Sequence, residues 1–277
     1  MTLPERFRFS QASLQDYVDC RRRFELRYLD RLRWPAIESE PVLEQEAAMQ
    51  RGRQFHHLVQ QHQAGLPPET IEAALNDPDL MAWWRSYLDH PIPDLPETHR
   101  TEYRLSIPFA SRRLTATYDL LAIEPGERFV IVDWKTGANP PNRAWLADRL
   151  QTRVYPYVLV EGGAGLNGGE PVRPEQISLV YWFVSAPESP QIFEYTAADH
   201  ASAAEELTAL VEEIAGRAAG DFPLTDDLRK CRYCVYRSLC DRGREPGAFE
   251  DFASFEAFGS DDFDPDLDLD QVGEIEF

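Results

Sequence analysis

The sequence predicts an α/β fold in which a central mixed β-sheet is flanked by helices, with a helical region at the N-terminus and a cysteine-rich C-terminal end. Three observations predict it. Apolar residues recur at helical spacing through most of residues 10–89, alternate with polar residues from 103 to 134, and return to both patterns between 142 and 218. Helices that precede and then interrupt a set of strands are typical of one α/β or α+β domain.

The predicted helices begin near the N-terminus. The first is expected over residues 10–32, where Ser10 or Ser13 can cap its start and Pro35 ends it. A proline-rich linker that begins at Pro91 separates the N-terminal helices from the strands. By the same apolar spacing, further helices are predicted over residues 42–64, 69–89, 142–160 and 199–218.

Five strands are predicted, and two of them form a hairpin. The turn signal Glu-Pro-Gly-Glu at residues 124–127 joins two strand-like runs. The glycine-rich stretch at 162–169 lacks the Lys-Ser/Thr of a phosphate-binding loop, so we expect a surface loop there. The strands are predicted over residues 103–107, 113–123, 128–134, 176–185 and 191–195.

The charge is unevenly distributed along the chain. The 277 residues include 28 basic and 48 acidic ones, a net charge of -20. Residues 245–277 contain 12 of the acids and no Lys or Arg, which leaves -8 for the remainder. We therefore predict a domain at residues 1–244 and an acidic, disordered tail at 245–277, and the net charge does not exclude a nucleic-acid partner. No run approaches the roughly 18 apolar residues of a membrane span, so we expect a cytoplasmic protein without a membrane partner.

The predicted hairpin carries a group of charged side chains. Asp133 and Lys135 lie two apart on a strand and so share one face. A three-residue loop at 125–127 pairs residue 124 with 128 and places Asp119 directly opposite Asp133. A two-residue loop would put the two carboxylates on opposite faces, so the prediction depends on this register.

Two close carboxylates and a lysine suit one kind of chemistry. The carboxylates repel each other, and Mg²⁺ or Mn²⁺ relieves the repulsion. A bound metal acidifies water and polarises a phosphoryl oxygen, and a lysine stabilises the negative charge that develops. The pattern thus predicts metal-assisted phosphodiester hydrolysis, whereas spacing alone also permits a plain salt bridge at the end of a strand.

The four cysteines suggest a second metal site. Cys231, Cys234 and Cys240 form a tight triplet, and Cys20 lies more than 200 residues upstream. Four thiolates bind either Zn²⁺ or an iron–sulfur cluster, and the spacing alone favours zinc slightly. Basic residues beside these cysteines predict either a patch that contacts phosphates or a solvated helix face. They are Arg21, Arg22, Arg23, Arg229, Lys230, Arg232 and Arg237.

Residues 115–137 resemble the core of the PD-(D/E)xK nuclease superfamily, and in particular its RecB-like nucleases. Further motifs of that family occur in the same order over roughly residues 9–242. The Gly-Arg-Gln-Phe-His run at 52–56 resembles the family's helical G-x-x-x-H, and Gln151 with Tyr155 resembles its Q-x-x-x-Y. The catalytic residues that the resemblance implies are Asp119, Asp133, Lys135, Glu102, Gln151 and Tyr155. The metal ligands that it implies are His56, Asp119 and Asp133.

The resemblance also implies a fold, a function and cofactors. The fold is restriction-endonuclease-like. The function is that of a DNA exonuclease dependent on Mg²⁺ or Mn²⁺, acting in repair or recombination on DNA that is single-stranded or has free ends, with a helicase or another repair protein as a partner. The cysteine pattern resembles the family's [4Fe–4S] staple on Cys20, Cys231, Cys234 and Cys240, and zinc is the less favoured occupant. The alternative is a catalytically silent, nuclease-fold DNA-binding or adaptor protein.

Overall fold

The computed structural model describes most of the chain. The described residues are 3–4, 6–32, 40–137, 139–218, 220–231 and 234–242, with the side chains of 40–46 left out. The predicted acidic tail at 245–277 and Arg232 of the predicted basic patch lie outside the described residues.

Among the described residues, six strands form one sheet in the order β1-β3-β4-β5-β6, and β2 pairs with the other edge of β3. The pairs β1–β3 and β4–β5 are parallel and the others antiparallel, which confirms the predicted mixed sheet. The first strand was not predicted, since three residues are too few to show alternation. The strands are β1 Arg8–Ser10, β2 Thr98–Phe109, β3 Arg112–Glu124, β4 Arg128–Lys135, β5 Ile177–Phe183 and β6 Gln191–Glu194.

Three predicted helices are interrupted. The backbone at Cys20 is extended and divides the first helix, the chain between Ala74 and Pro78 divides the third, and an extended Arg149 divides the fourth. At Pro78 the cause is chemical, because proline lacks an N–H and Asp77 caps a new helix there. A π-helical turn at Glu25–Leu29 follows α2. The helices are α1 Gln11–Asp19, α2 Arg21–Phe24, α3 Glu40–Gln63, α4 Pro68–Ala74, α5 Pro78–Asp89, α6 Arg143–Asp148, α7 Leu150–Gly162 and α8 Ala197–Gly216.

Helices cover the two faces of the sheet with two separate cores. On one face, α7 packs on β2, β3 and β5, and α1 and α8 pack against α7. At Gly162 of α7 an added Cβ would lie 2.8 Å from Ile107 and 3.3 Å from Leu105, so the glycine permits close approach to β2. On the other face, α3 and α5 pack through an aromatic cluster that includes Phe55, Trp84 and Trp182. The first core is called the α7 core below, and the second the α3 core.

Strands β2 and β3 have a kink, at which the alternation of their side chains between the two faces of the sheet is interrupted. Tyr118 and Leu121 of β3 both belong to the α7 core, although strict alternation would send them to opposite faces. Opposite this point, Glu102 of β2 adopts φ +47°, a conformation that costs a non-glycine residue on the order of 1–3 kcal/mol. The ladder continues on both sides, since Thr101 pairs with Leu120 and Tyr103 with Tyr118. The change of facing places Glu102 opposite Asp119, at the edge of the α3 core.

Candidate active site

Helix α3 brings His56 to the sheet. A Cβ at Gly52 would lie 3.0 Å from Thr136 Oγ1, so the glycine lets the helix pass close to the end of β4. His56 follows one turn later, and its Nδ1 lies 3.3 Å from Asp119 Oδ2. The Gly-x-x-x-His spacing is therefore physical: the glycine provides the approach and the histidine reaches the carboxylate.

The register of the hairpin confirms the prediction from the loop. Glu124 pairs with Arg128 across a three-residue turn in which Gly126 adopts φ +84°. The ladder continues to the pair of Leu120 and Val132, so the next residues along are Asp119 and Asp133. The backbone N–H of Trp134 donates to Asp119 Oδ2 at 2.9 Å and fixes that carboxylate.

Three side chains form a candidate site for a divalent cation. One ligand atom from each of His56, Glu102 and Asp119 lies within 4.8 Å of the other two. Carboxylate oxygens suit Mg²⁺ and Mn²⁺, and an added imidazole moves the preference toward the transition metal. The residues thus fit the divalent metal that the resemblance implies. The predicted ligands were His56, Asp119 and Asp133, whereas the group that the structure brings together contains Glu102 with His56 and Asp119.

Asp133 forms a buried ion pair beside this group. Its Oδ2 lies 2.8 Å from Lys135 Nζ, and its Oδ1 accepts a hydrogen bond from the side-chain amide of Gln151. All three side chains are buried, so each charge needs the compensation that its neighbour provides. The predicted role of Asp133 as a metal ligand stays a prediction.

Helix α7 supplies a phenol that remains protonated. Burial, and then the charges of Asp133 and Asp119, raise the pKa of Tyr155 well above its ordinary value. Tyr155 lies one turn after Gln151, and its backbone carbonyl accepts a hydrogen bond from the Tyr118 hydroxyl at 3.0 Å. A neutral phenol can donate its proton and accept a hydrogen bond, and the Gln151 side chain, whose hydrogen bond lowers this pKa, is one partner, which suits Tyr155 to orient groups at the site.

Tyr181 was missed from the sequence. It pairs with Asp133 in the parallel register of β4 and β5, and Lys135 Nζ lies 5.8 Å from the centre of its ring. Its hydroxyl shares a hydrogen bond of 2.8 Å with Thr152, and burial raises its pKa. The sequence of β5 did not indicate that Tyr181 lies beside Asp133 and Lys135, because an aromatic residue in a buried strand usually contributes to packing alone.

The four cysteines lie together at the ends of the domain. Cys20 lies at the break between α1 and α2, and the other three lie in or beside the short 3₁₀ turns Leu228–Cys231 and Arg237–Cys240. All four are free thiols, and burial with the neighbouring cysteines raises the pKa of Cys240 to about 11. No three of these sulfur atoms, all within the described residues, lie within 4.8 Å of one another. Sulfurs around a single zinc ion are about 3.8 Å apart, because each Zn–S bond is about 2.3 Å.

A network of buried charges adjoins the cysteines. Asp16 Oδ1 lies 2.8 Å from Arg23 Nε, and Asp16 Oδ2 lies 2.7 Å from Arg27. Asp19 accepts from Arg23 at 2.8 Å and from Lys230 at 3.0 Å. Burial raises the pKa of the Cys234 thiol, and the charge of Arg23 opposes that rise. A fixed positive charge beside these sulfurs suits a group held by thiolates.

The predicted basic patch is largely neutralised by acidic partners. Arg21 pairs with Glu213 at 3.1 Å and Arg229 with Asp227 at 2.9 Å. Arg22 pairs with Glu25, and both Arg23 and Lys230 belong to the buried network. Five residues of the predicted patch thus have acidic partners, and the patch as a phosphate-binding surface stays a prediction.

The protein has a mixed sheet with helices on both faces. His56, the carboxylates of Glu102, Asp119 and Asp133, and Lys135 lie near the centre of this sheet. Together these features define a nuclease-like α/β protein. Residues 8–241 match the family model of the PD-(D/E)XK nuclease superfamily, and the chain belongs to that superfamily. The fold prediction is thereby confirmed. The superfamily's usual cofactor is a divalent metal and its substrate is DNA.

Two solved structures are similar to this chain. One is a protein from Eubacterium rectale assigned provisionally as an exonuclease, with 11% identity, 88% of this chain and 91% of that chain covered, and a TM-score of 0.49. The other is the protein SSO0001, with 14% identity, 84% and 85% covered, and a TM-score of 0.37. No curated protein matches the chain. In the part of the chain that the structure describes, no helix has the length and apolar composition that crossing a membrane requires.

Proposed function

We propose that the protein is a metal-dependent deoxyribonuclease of the RecB-like type that hydrolyses phosphodiester bonds in DNA. The observation that carries the proposal is the convergence of His56, Glu102 and Asp119 beside the buried pair of Asp133 and Lys135. Carboxylates, an imidazole and an ammonium group close together suit phosphoryl transfer. A salt bridge that only stabilises the end of a strand requires one carboxylate and one cation, so it does not explain the other side chains.

Each residue of the site has a part in this proposal. His56, Glu102 and Asp119, with Asp133 adjacent, would hold Mg²⁺ or Mn²⁺, which supplies an acidified water and charge stabilisation when bound. Lys135 stabilises negative charge on the phosphate or orients the attacking water. Gln151 holds Asp133 in place. The protonated Tyr155 supports the site without adding a negative charge.

The finer proposals concern the substrate and the setting. We infer an exonuclease that takes DNA with free ends or single strands, works in the cytoplasm in repair or recombination, and receives its substrate from a helicase or another repair protein. The sequence contains no phosphate-binding loop. The clustered cysteines support a reducing compartment, where thiols persist as metal ligands.

The test is cleavage of end-labelled single-stranded and duplex DNA by anaerobically purified protein in Mn²⁺, in Mg²⁺ and in EDTA. We expect cleavage that requires the metal and that disappears in Asp119→Ala. Because the donor set includes an imidazole, Mn²⁺ is expected to support at least as much activity as Mg²⁺. Equal cleavage by the wild type and Asp119→Ala would indicate contamination. Absence of cleavage by folded, metal-loaded protein would favour the catalytically silent adaptor.

We also propose that Cys20, Cys231, Cys234 and Cys240 hold a [4Fe–4S] cluster that joins the two ends of the domain. Four free thiols that the fold brings together from the two ends of the domain support this choice, as does the resemblance of their spacing to the family's staple. Such a group closes a loop of more than 200 residues and so stabilises the fold by constraining the unfolded chain.

Metal content tests the cysteine site directly. Anaerobically purified protein is expected to be brown and to contain about four iron atoms per chain. Cys234→Ser is expected to lose the colour and most of the iron, whereas the neighbouring Ser238→Ala retains both. A colourless wild-type protein with one zinc ion per chain would contradict the proposal.

A further inference from the structure

Part of the sheet next to the candidate active site has a polar, uncovered face. Beyond the kink, Leu105, Ile107, Leu114, Ala116 and Tyr118 pack in or against the α7 core. The residues that alternate with them are exposed or half-buried on the opposite face, which is the face that carries Glu102 and Asp119. These residues, called the open face below, are Arg8, Arg104, Ser106, Arg113, Thr115 and Thr117.

The pairing of the strands places these residues side by side. Arg104 lies opposite Thr117, and Ser106 opposite Thr115, across β2 and β3. Arg8 of β1 pairs with Arg113 across the other edge of β3. Paired residues share one face of a sheet, so the arginines of three strands line a continuous surface.

The open face is ordered by its own hydrogen bonds. Arg113 Nε donates to Ser106 Oγ at 2.8 Å, and its NH2 group donates to the Ser106 carbonyl at 2.6 Å. The Thr115 hydroxyl donates to Ser106 Oγ at 3.0 Å. The Arg113 guanidinium is thus held on this face with donors remaining for a ligand, since it has five N–H groups.

The charge of this region contrasts with that of the whole chain. Residues 103–118 contain three arginines and no aspartate or glutamate, in a chain with 48 acidic residues. The first acids at either end of this segment are Glu102 and Asp119, which belong to the candidate metal group. Two of these arginines, Arg104 and Arg113, lie on the open face, so a polyanion there meets positive charge close to the metal site.

The dimensions fit a polynucleotide strand. Six residues separate Asp119 from Arg113, a distance of about 20 Å along a strand. One strand of B-form DNA advances about 3.4 Å along the helix axis for each phosphate, so the open face spans at most about six phosphates. Arginine and hydroxyl side chains are the groups that commonly contact phosphate oxygens.

We propose that the open face is the track along which the DNA strand reaches the metal site, with Arg104 and Arg113 binding backbone phosphates. The proposal rests on the proposed nuclease function and specifies where that activity's substrate binds. It also gives a strongly acidic protein a place to bind DNA, since 12 of its 48 acidic residues lie in residues 245–277 and none lies in residues 103–118.

The test uses glutamine variants, because glutamine removes the charge and keeps hydrogen-bonding capacity. Binding of a fluorescein-labelled single strand of mixed sequence is measured by anisotropy between about 50 and 200 mM salt, with Ca²⁺ in place of Mg²⁺. Each of Arg104→Gln and Arg113→Gln is expected to lower the slope of log K against log salt by about 0.7, and the double variant to bind roughly tenfold more weakly. KM for cleavage is expected to rise with kcat unchanged.

Arg100→Gln is the matched control. Arg100 is an exposed arginine of β2 that lies two residues before Glu102, and Arg104 lies two residues after it. The strand partner of Arg100 is Leu121, which belongs to the α7 core. It therefore faces away from the open face, and its replacement is expected to leave the slope unchanged. The Arg104→Lys, Arg113→Lys double variant keeps the charge and is expected to retain the wild-type slope.

The outcomes separate the two proposals. A double glutamine variant with the wild-type slope and KM, in a protein that cleaves DNA, would overturn the track and leave the nuclease intact. Arginine-dependent binding by a protein that cleaves nothing would support the track and oppose the nuclease. A wild-type protein that binds no DNA would overturn both proposals. A loss of binding in Arg100→Gln equal to that in the Arg104 and Arg113 variants would overturn the track alone.

Discussion

Replacing Lys135 with methionine is expected to lower kcat for DNA cleavage by about two to three orders of magnitude, the usual loss when one group that stabilises transition-state charge is removed. Lys135 Nζ lies 2.8 Å from Asp133 Oδ2 and is buried, so water cannot replace its charge. KM is expected to change little, since the contribution is made mainly in the transition state. Single-turnover cleavage of end-labelled DNA at saturating Mn²⁺ measures the effect.

A structural loss must be separated from a chemical one. Lys135→Met leaves the buried Asp133 carboxylate without its cation, which destabilises a protein by several kcal/mol in comparable cases. The double variant Asp133→Asn, Lys135→Met removes both charges and is expected to regain stability without regaining activity. Thermal unfolding of the two variants makes this comparison. If Lys135→Met cleaved within twofold of the wild-type rate, Lys135 would have no part in the chemistry.

The site shows which parts of a fold local chemistry can predict. The three-residue turn at 125–127 determines the register of its hairpin, which runs from Glu124 opposite Arg128 to Leu120 opposite Val132, with Asp119 and Asp133 next along the two strands. The Gly-x-x-x-His run was informative for a similar reason. A glycine on a helix permits close approach to a strand end, and Gly52 lies against Thr136.

Other features depend on contacts distant in sequence. The resemblance placed Glu102 among the catalytic residues, but it adopts a positive φ that glutamate does not favour, so its residue type gave no indication of the kink. Tyr181 lies beside Asp133 because β4 and β5 are parallel neighbours, and a parallel pairing across a long crossover leaves no local signal. The open face likewise exists only because strict alternation fails at the kink.

The basic residues near Cys20 illustrate the limit of counting charge along a chain. Arg21, Arg22 and Arg23 are consecutive, and they look like a phosphate-binding run. Each has an acidic partner that folding supplies: Glu213 from α8 for Arg21, Glu25 for Arg22 and Asp16 for Arg23. Arg104 and Arg113 are less conspicuous in the sequence, and the pairing of β2 with β3 is what places them beside the site.

Replacing Asp16 with asparagine is expected to lower the free energy of unfolding by about 3 kcal/mol, the lower end of the loss for a broken buried pair, because the partly buried Arg23 and Arg27 lose a buried counter-ion and Arg23 keeps Asp19. Asp16 contacts Arg23 at 2.8 Å through one oxygen and Arg27 at 2.7 Å through the other, and it is 6% exposed. Asparagine retains the size of the side chain, so the loss measures the charge. Urea unfolding followed by tryptophan fluorescence gives the difference, and Asp221→Asn, at an exposed ion pair with Arg217, is the control and is expected to change the midpoint little.

The same substitution separates a structural network from one that also supports the cysteines. Arg23 opposes the rise in the pKa of Cys234 and of Cys231, so a displaced Arg23 removes positive charge from the thiolates. We therefore expect Asp16→Asn to lose its iron to a chelator faster than the wild type under native conditions, well below its unfolding midpoint, because the thiolates that hold the group are then less stabilised. Unchanged iron retention in a destabilised but folded variant would limit the network to holding α1 and α2 together, whereas unchanged stability would contradict the burial argument itself.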